Sequence, residues 1–158
     1  MNTLLVISFI LLAAYLVCIC KVIGRIPESI NHTACAMNFP KRIVWYIAIW
    51  GAAMLAAPSF VETVGDEWRW LAFFTLTSAI VYGMFPVREE ASDFDAMAGQ
   101  VAGFTFVLCS QLVVGLSSKW WLLLAWIAAM RLVVRKVSEW KFWCGVLAAT
   151  TTYIYCLI

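Results

Sequence analysis

The chain offers one acid and histidine pair, Glu28 and His32, set four residues apart between Pro27 and Pro40, and His32 is its only histidine. Four apart on a helix they face each other, close enough for the carboxylate to stabilise the imidazolium, and a general base needs that partnering. Asp93 and Asp95, predicted on a loop on the same side of the membrane, are the carboxylates that join them as catalytic candidates. The competing reading is a boundary histidine that hydrogen-bonds its own neighbour and does no chemistry.

Other chemistries lack their residues. Catalytic zinc takes three protein ligands as a rule, and a single histidine cannot build a multi-histidine site, so no metal or cofactor is implied. There is no glycine-rich phosphate loop and no GxSxG turn for a serine nucleophile. Cys18, Cys20, Cys35, Cys109, Cys144 and Cys156 show no CxxC spacing, and Cys18 and Cys20 project to nearly opposite sides of a helix. They read as small buried hydrophobes.

Whatever these residues do, a membrane positions them. The 158 residues are 65% hydrophobic and 13% charged, about half the charge of an ordinary soluble domain, with a mean hydropathy of +0.91. A spanning helix needs about 20 apolar residues, because the hydrocarbon core is about 30 Å thick and a helix rises about 1.5 Å per residue. Six such stretches are predicted, over 4–24, 43–64, 70–85, 100–116, 120–134 and 142–158. The first is read as a retained span, since Met1, Asn2 and Thr3 supply no basic region for a secretory signal.

Lys and Arg are retained on the cytoplasmic side. With both termini outside, six spans place Lys21, Arg25, Lys41, Arg42, Arg88, Arg131, Arg135, Lys136 and Lys141 inside, against Arg69 and Lys119 outside. Arg131 lies within the fifth apolar run and snorkels to the interface near Arg135. Most tryptophans, among them Trp45, Trp68, Trp70, Trp120, Trp140 and Trp143, fall at span ends as an interfacial belt.

On the cytoplasmic face, the first and fifth loops each carry a net +3, while Val87 to Gln100, with Glu89, Glu90, Asp93 and Asp95 against Arg88, carries −3. Either the acidic loop neutralises its basic neighbours, or Arg25, Lys41, Arg42, Arg131, Arg135 and Lys136 hold anionic lipid headgroups or a phosphorylated ligand. The segment from Pro27 to Pro40 predicts a short helix lying in the inner interface, with Ile30, Ala34 and Met37 as its apolar stripe.

Within the spans the polar groups are uncharged. Thr75, Ser78 and Tyr82 share a face, as do Gln100 and Gln111, and Thr150, Thr151 and Thr152 interrupt the last span. Such groups are expected to hydrogen-bond between helices, and a narrow polar path is the alternative. Gly99 with Gly103, and Gly145 with Ala149, set small residues four apart where helices pack closely, and a surplus of such faces suits a homo-oligomer.

The run Ile26-Pro27-Glu28-Ser29-Ile30, followed by Trp45-Tyr46-Ile47-Ala48-Ile49-Trp50-Gly51 and by Phe85-Pro86, resembles uncharacterised small polytopic membrane proteins of bacteria and their phages. The resemblance covers the amino-terminal two thirds of the chain. It implies a small multi-pass membrane protein and brings no activity with it. Members often carry a histidine near the start of the fourth helix; Asp95 to Gln100 contains none, so no role for it carries over.

The expectation is therefore a single all-α domain over 1–158, an integral bundle of six transmembrane helices in the cytoplasmic membrane. Its partners are membrane lipids and a second copy of itself, with no nucleic acid. A non-enzymatic pore, effector or accessory subunit leads. An inner-leaflet lipid-headgroup enzyme using Glu28 and His32, or a lipid-binding scaffold, stands as the alternative.

Overall fold

A computed structural model describes residues 2–34, 42–85 and 93–158. All regular structure among them is helical: α1 (Asn2–Ile23), α2 (Arg42–Val64), α3 (Arg69–Met84), α4 (Asp93–Leu116), α5 (Trp121–Lys136) and α6 (Trp140–Leu157). Two short 3-10 turns cover Ile30–Ala34 and Asp66–Trp68. The first two helices end on glycine for a steric reason. Gly24 and Gly65 each have φ of 73°, a left-handed conformation that a Cβ disfavours, and the Gly24 N–H closes the last turn on the Cys20 carbonyl at 3.0 Å.

Two boundaries differ from expectation. The fourth helix begins at Asp93 rather than near Gln100. The carboxylates of Asp93 and Asp95 fall in its first turn, where they complement the positive end of the helix dipole, and Ala96, Met97 and Ala98 are good helix formers. Of the segment between Pro27 and Pro40, the described part forms a 3-10 turn over Ile30–Ala34 in place of the expected interfacial α-helix. Its Ile30, Asn31, Thr33 and Ala34 are buried against α1, α2 and α6, so the turn is tucked into the end of the bundle. Cys35, Met37, Asn38, Pro40, Pro86, Arg88, Glu89 and Glu90 lie outside the described residues.

Three helices are long and apolar enough to cross a membrane, over Thr3–Ile23, Arg42–Val64 and Asp93–Leu116. α3 and α5 have 16 residues each and α6 has 18. Pro58 sits inside α2 without ending it.

Packing closes five helices into a ring. α1 lies on α2, α2 on α3, α3 on α4, α4 on α6, and α6 returns to α1; α5 sits outside, against α4 and α6. Its peripheral place fits its burial, since Leu122 is its only buried residue. The apolar core is divided between the two ends of this ring. Tyr15, Ile19, Ile30, Trp45, Ala48 and Phe142 form one cluster at the end that carries His32. Phe60, Val64, Leu71, Val113, Val114 and Tyr155 form the other, beside Trp68. Between them the facing positions are small: Ala53 and Ala56 on α2, Ala79 on α3 and Ala149 on α6. Side chains of that size cannot fill the middle of a five-helix ring, so a void is left there.

Trp45 corrects the belt reading. It is fully buried between the rings of Tyr15 and Tyr82, and its Nε1 donates at 3.1 Å to the Gly83 carbonyl. That carbonyl is free because it lies in the last turn of α3, so the indole is satisfied inside the core and has no need of a headgroup.

Candidate functional site

The turn after α1 organises the polar end of the bundle. Ser29 stands immediately before the 3-10 turn and caps it, its carbonyl and Oγ both accepting from the His32 N–H at 3.1 and 3.3 Å. Ser29 Oγ also lies 3.0 Å from His32 Nδ1. On the other side of the ring His32 Nε2 is 3.8 Å from Glu28 Oε2. A hydroxyl, an imidazole and a carboxylate thus follow one another through the two ring nitrogens.

The residues beneath anchor this row. Thr33 Oγ1 donates to the Ile30 carbonyl at 2.6 Å and so receives the Tyr15 hydroxyl, 2.7 Å away. Asn31 is buried, and its Nδ2 donates to the Phe85 carbonyl at 2.7 Å, which ties the turn to the end of α3. Its Oδ1 is buried with no hydrogen-bond partner among the described residues, as is Trp126 Nε1 on α5.

These groups border the void inside the ring, a cavity of about 730 Å³. At its mouth stand Glu28, Ser29, His32, Gln100, Trp140 and Lys141. Farther in, the lining turns apolar, through Leu12, Ile49, Ala53, Ala79, Val107 and Ala149 to Phe60 and Cys156. The hydroxyls expected to bond between helices do not supply a polar path. Thr75 donates to the Leu71 carbonyl, Ser78 to Thr75, and Thr150, Thr151 and Thr152 to Val146, Leu147 and Ala148, all carbonyls of their own helices. A carbonyl one turn back is always within reach of such a side chain, whereas a neighbouring helix need not be. Gln111 does cross, its Nε2 donating to Ala148 at 3.4 Å.

The remaining candidates scatter. Asp93 is exposed and Asp95 half-buried in the first turn of α4, and neither lines the cavity. Arg25 is exposed just beyond α1, Arg42 opens α2, and Lys41 lies outside the described residues. Arg131, Arg135 and Lys136 are exposed on the peripheral α5. Lys141, not singled out beforehand as a ligand residue, is the basic residue at the cavity mouth, and its Nζ sits 5.9 Å from the centre of the Trp140 ring. Beside it Glu139, hydrogen-bonded by the Ser138 hydroxyl, has its carboxyl held below the usual carboxylate range.

The small residues divide between two tasks. A Cβ on Gly99 would lie 2.7 Å from Asn31 Nδ2 and 2.8 Å from the Phe85 carbonyl oxygen; on Gly103 it would lie 2.8 Å from the Tyr82 ring, and on Gly145 2.9 Å from Ile30. These glycines admit a close neighbour, while Ala149, like Ala53, faces open space in the cavity. Ser29, Asn31 and Trp126 are the site residues that sequence reasoning missed, while Tyr82, read as part of a polar face, packs on Gly103. Ser29 and Asn31 carried a signal, lying within the acid and histidine segment, whereas nothing local marks Trp126.

Among the described residues no group of three or more His, Cys, Asp or Glu is placed to hold a metal. Comparison with known proteins brings no match, whether to a family, a curated protein or a solved structure.

Proposed function

We propose that this is a six-span integral protein of the cytoplasmic membrane that holds a membrane lipid inside its helix ring, an accessory or effector role by binding and not by turnover. One observation carries the reading: the cavity is polar at the His32 end and apolar for the rest of its length. An amphipathic molecule matches both parts, and in a bilayer lipids are the abundant amphipaths. The outer surface supports the membrane setting, with Phe104 69% exposed and Phe73 63% exposed, large apolar side chains that lipid would cover. A pore is less well supported, since a water path needs polar lining along its length and here the hydroxyls in the middle are spent on their own helices.

Native mass spectrometry of the protein released from mild detergent tests this reading, because it counts retained lipid and chain copies together. One lipid per chain is expected for the wild type. Ala149→Leu and Ala53→Phe, which fill the cavity, are expected to lose it while leaving the helical circular dichroism unchanged. Lipid retention equal to wild type in both variants would remove the proposal.

A second reading is favoured by the contact between Ser29 Oγ and His32 Nδ1 with Glu28 on the far nitrogen. In a lipid-headgroup hydrolase, Ser29 would be the nucleophile, His32 its base and Glu28 the group that orients the ring. Phospholipid vesicles that contain the protein would then release soluble headgroup and keep a two-chain lipid, and Ser29→Ala and His32→Ala would each stop the release. Absence of turnover in the wild type discards this reading and leaves the binding role intact.

A further inference from the structure

Among the described residues three buried polar atoms lack partners, Asn31 Oδ1, Gln111 Oε1 and Trp126 Nε1, and the two whose residues border the cavity, Asn31 and Trp126, bear on its occupant. A buried acceptor or donor with no partner costs about 1–3 kcal/mol, and native proteins leave few of them. Asn31 is 3% exposed and lines the cavity just inside its polar mouth. Its amide is oriented by the 2.7 Å bond from Nδ2 to the Phe85 carbonyl, so the atom left over is the acceptor Oδ1. An occupant that brings a donor to that point would satisfy it. Trp126 Nε1, which also borders the cavity, is a donor and needs an acceptor.

Size limits the choice further. At about 30 Å³ per heavy atom, the share of volume a water takes in the liquid, a cavity of about 730 Å³ holds roughly 24 heavy atoms. That is one acyl chain with a small head, and about half of a two-chain phospholipid. Along α2 the lining runs from Ile49 to Phe60, a depth of about 17 Å at 1.5 Å per residue, as an extended chain requires. A fatty acid fits the volume but not the chemistry. Its carboxylate could pair with Lys141 at the mouth but is acceptor-only, so it leaves Asn31 Oδ1 without a donor. A two-chain phospholipid is about twice the size the cavity takes, and both of its chain-bearing oxygens are esterified, so neither can donate.

Resting on the reading of the cavity as a lipid site, we propose that it selects a single-chain glycerolipid whose free glycerol hydroxyl donates to Asn31 Oδ1, with its headgroup at the Glu28, His32 and Lys141 mouth. Carboxylate and ammonium stand together at that mouth, which suits a zwitterionic phosphoethanolamine head over one of a single sign. Trp126 lies deeper along the cavity, on the part of α5 that follows the Leu123 contact with Gly115 at the far end of α4, and takes no part in recognising the glycerol.

The test compares ligands on the wild-type protein, so it does not depend on a variant folding. Delipidated protein in mild detergent is titrated with 1-oleoyl-lysophosphatidylethanolamine, with its 2-deoxy analogue, with oleate and with dioleoyl-phosphatidylethanolamine, and bound lipid is read by native mass spectrometry. The single-chain hydroxyl lipid is expected to saturate at one per chain. The deoxy analogue should bind about tenfold more weakly, the size of one buried hydrogen bond at the upper end of its range, and the other two more weakly still. Equal binding of the hydroxyl and deoxy lipids, or two-chain binding as tight as single-chain, overturns this proposal while the cavity remains a lipid site. If Ala149→Leu leaves single-chain binding unchanged, the lipid reading of the cavity fails first and this inference goes with it.

Discussion

Tyr153 on α6 and Ser8 on α1 are hydrogen-bonded inside the bundle, and Ser8 Oγ donates in turn to the Ala52 carbonyl of α2 at 2.7 Å. A serine hydroxyl has one proton to give. Once it is spent on Ala52, the tyrosine must be the donor to Ser8, so the order runs from α6 through α1 to α2 and closes the helix ring between its first and last members.

That order makes the two ends of the chain unequal. Tyr153→Phe removes a donor and leaves Ser8 bonded, at a cost of about 1 kcal/mol, whereas Ser8→Ala strands the buried tyrosine hydroxyl and costs about 2 kcal/mol. Reversible unfolding in mixed micelles measures both. A larger loss for Tyr153→Phe would reverse the assigned direction of donation.

Gly99 and Gly115 both sit on α4, and a Cβ at either would be too close to a neighbour, but the neighbours differ. At Gly99 the obstacles include the Phe85 backbone oxygen at 2.8 Å, while at Gly115 the nearest is the tip of Leu123 at 2.7 Å. A backbone atom cannot step aside as a leucine methyl can. Gly99→Ala is therefore expected to destabilise by about 1–3 kcal/mol. Gly115→Ala should cost less, since the Leu123 tip can move aside and alanine in the last turn of α4 recovers part of the roughly 0.5–1 kcal/mol by which it exceeds glycine in a helix. Thermal unfolding of the two variants in one detergent compares them directly.

The Ser138 hydroxyl, and after it the backbone, hold the Glu139 carboxyl below its ordinary value. A carboxylate depressed in the folded state contributes stability above its unfolded pKa and loses it as pH falls through the folded pKa. Ser138→Ala is expected to raise the Glu139 midpoint toward the ordinary carboxylate value, as read by carbon NMR titration of the labelled side chain. An unmoved midpoint would show that the hydroxyl contributes nothing.

The six-span arrangement is checked by labelling. With the native cysteines replaced, Glu67→Cys and Ser118→Cys are expected to react with an impermeant maleimide from outside the cell, and Ser138→Cys only after the membrane is opened. Labelling of Glu67→Cys and Ser138→Cys in the same compartment would require an even number of crossings between them and would overturn the three that the six-span arrangement places there.

Much of the fold was legible because helix formation here is local. Long apolar runs, broken by glycine, proline and charge, put α1 and α2 within a few residues of their observed ends. The start of α4 was less legible, because Asp93 and Asp95 read as loop residues to a search for apolar length and as favourable first-turn residues to the helix dipole. The acid and histidine pair was also visible, since a separation of four along the chain suffices to bring Glu28 and His32 near each other. Its surroundings were not. Whether the turn carrying them lies on the surface or enters the bundle depends on Tyr15 of α1, Tyr82 of α3 and Phe85 just after it.

Sequence by itself determined a helical chain rich in apolar residues, where its helices break, and which few side chains carry charge or chemistry, because each of those is a property of neighbours along the chain. Tertiary structure alone decided which apolar residues are inside. These helices are apolar nearly all round, so hydrophobic patterning marks no inner face, and Ala53, Ala149 and Gly103 look alike until partners are assigned. Only the closed ring shows that the alanines leave a space, that Gly103 receives Tyr82, and that Asn31 Oδ1 borders that space with nothing to bond.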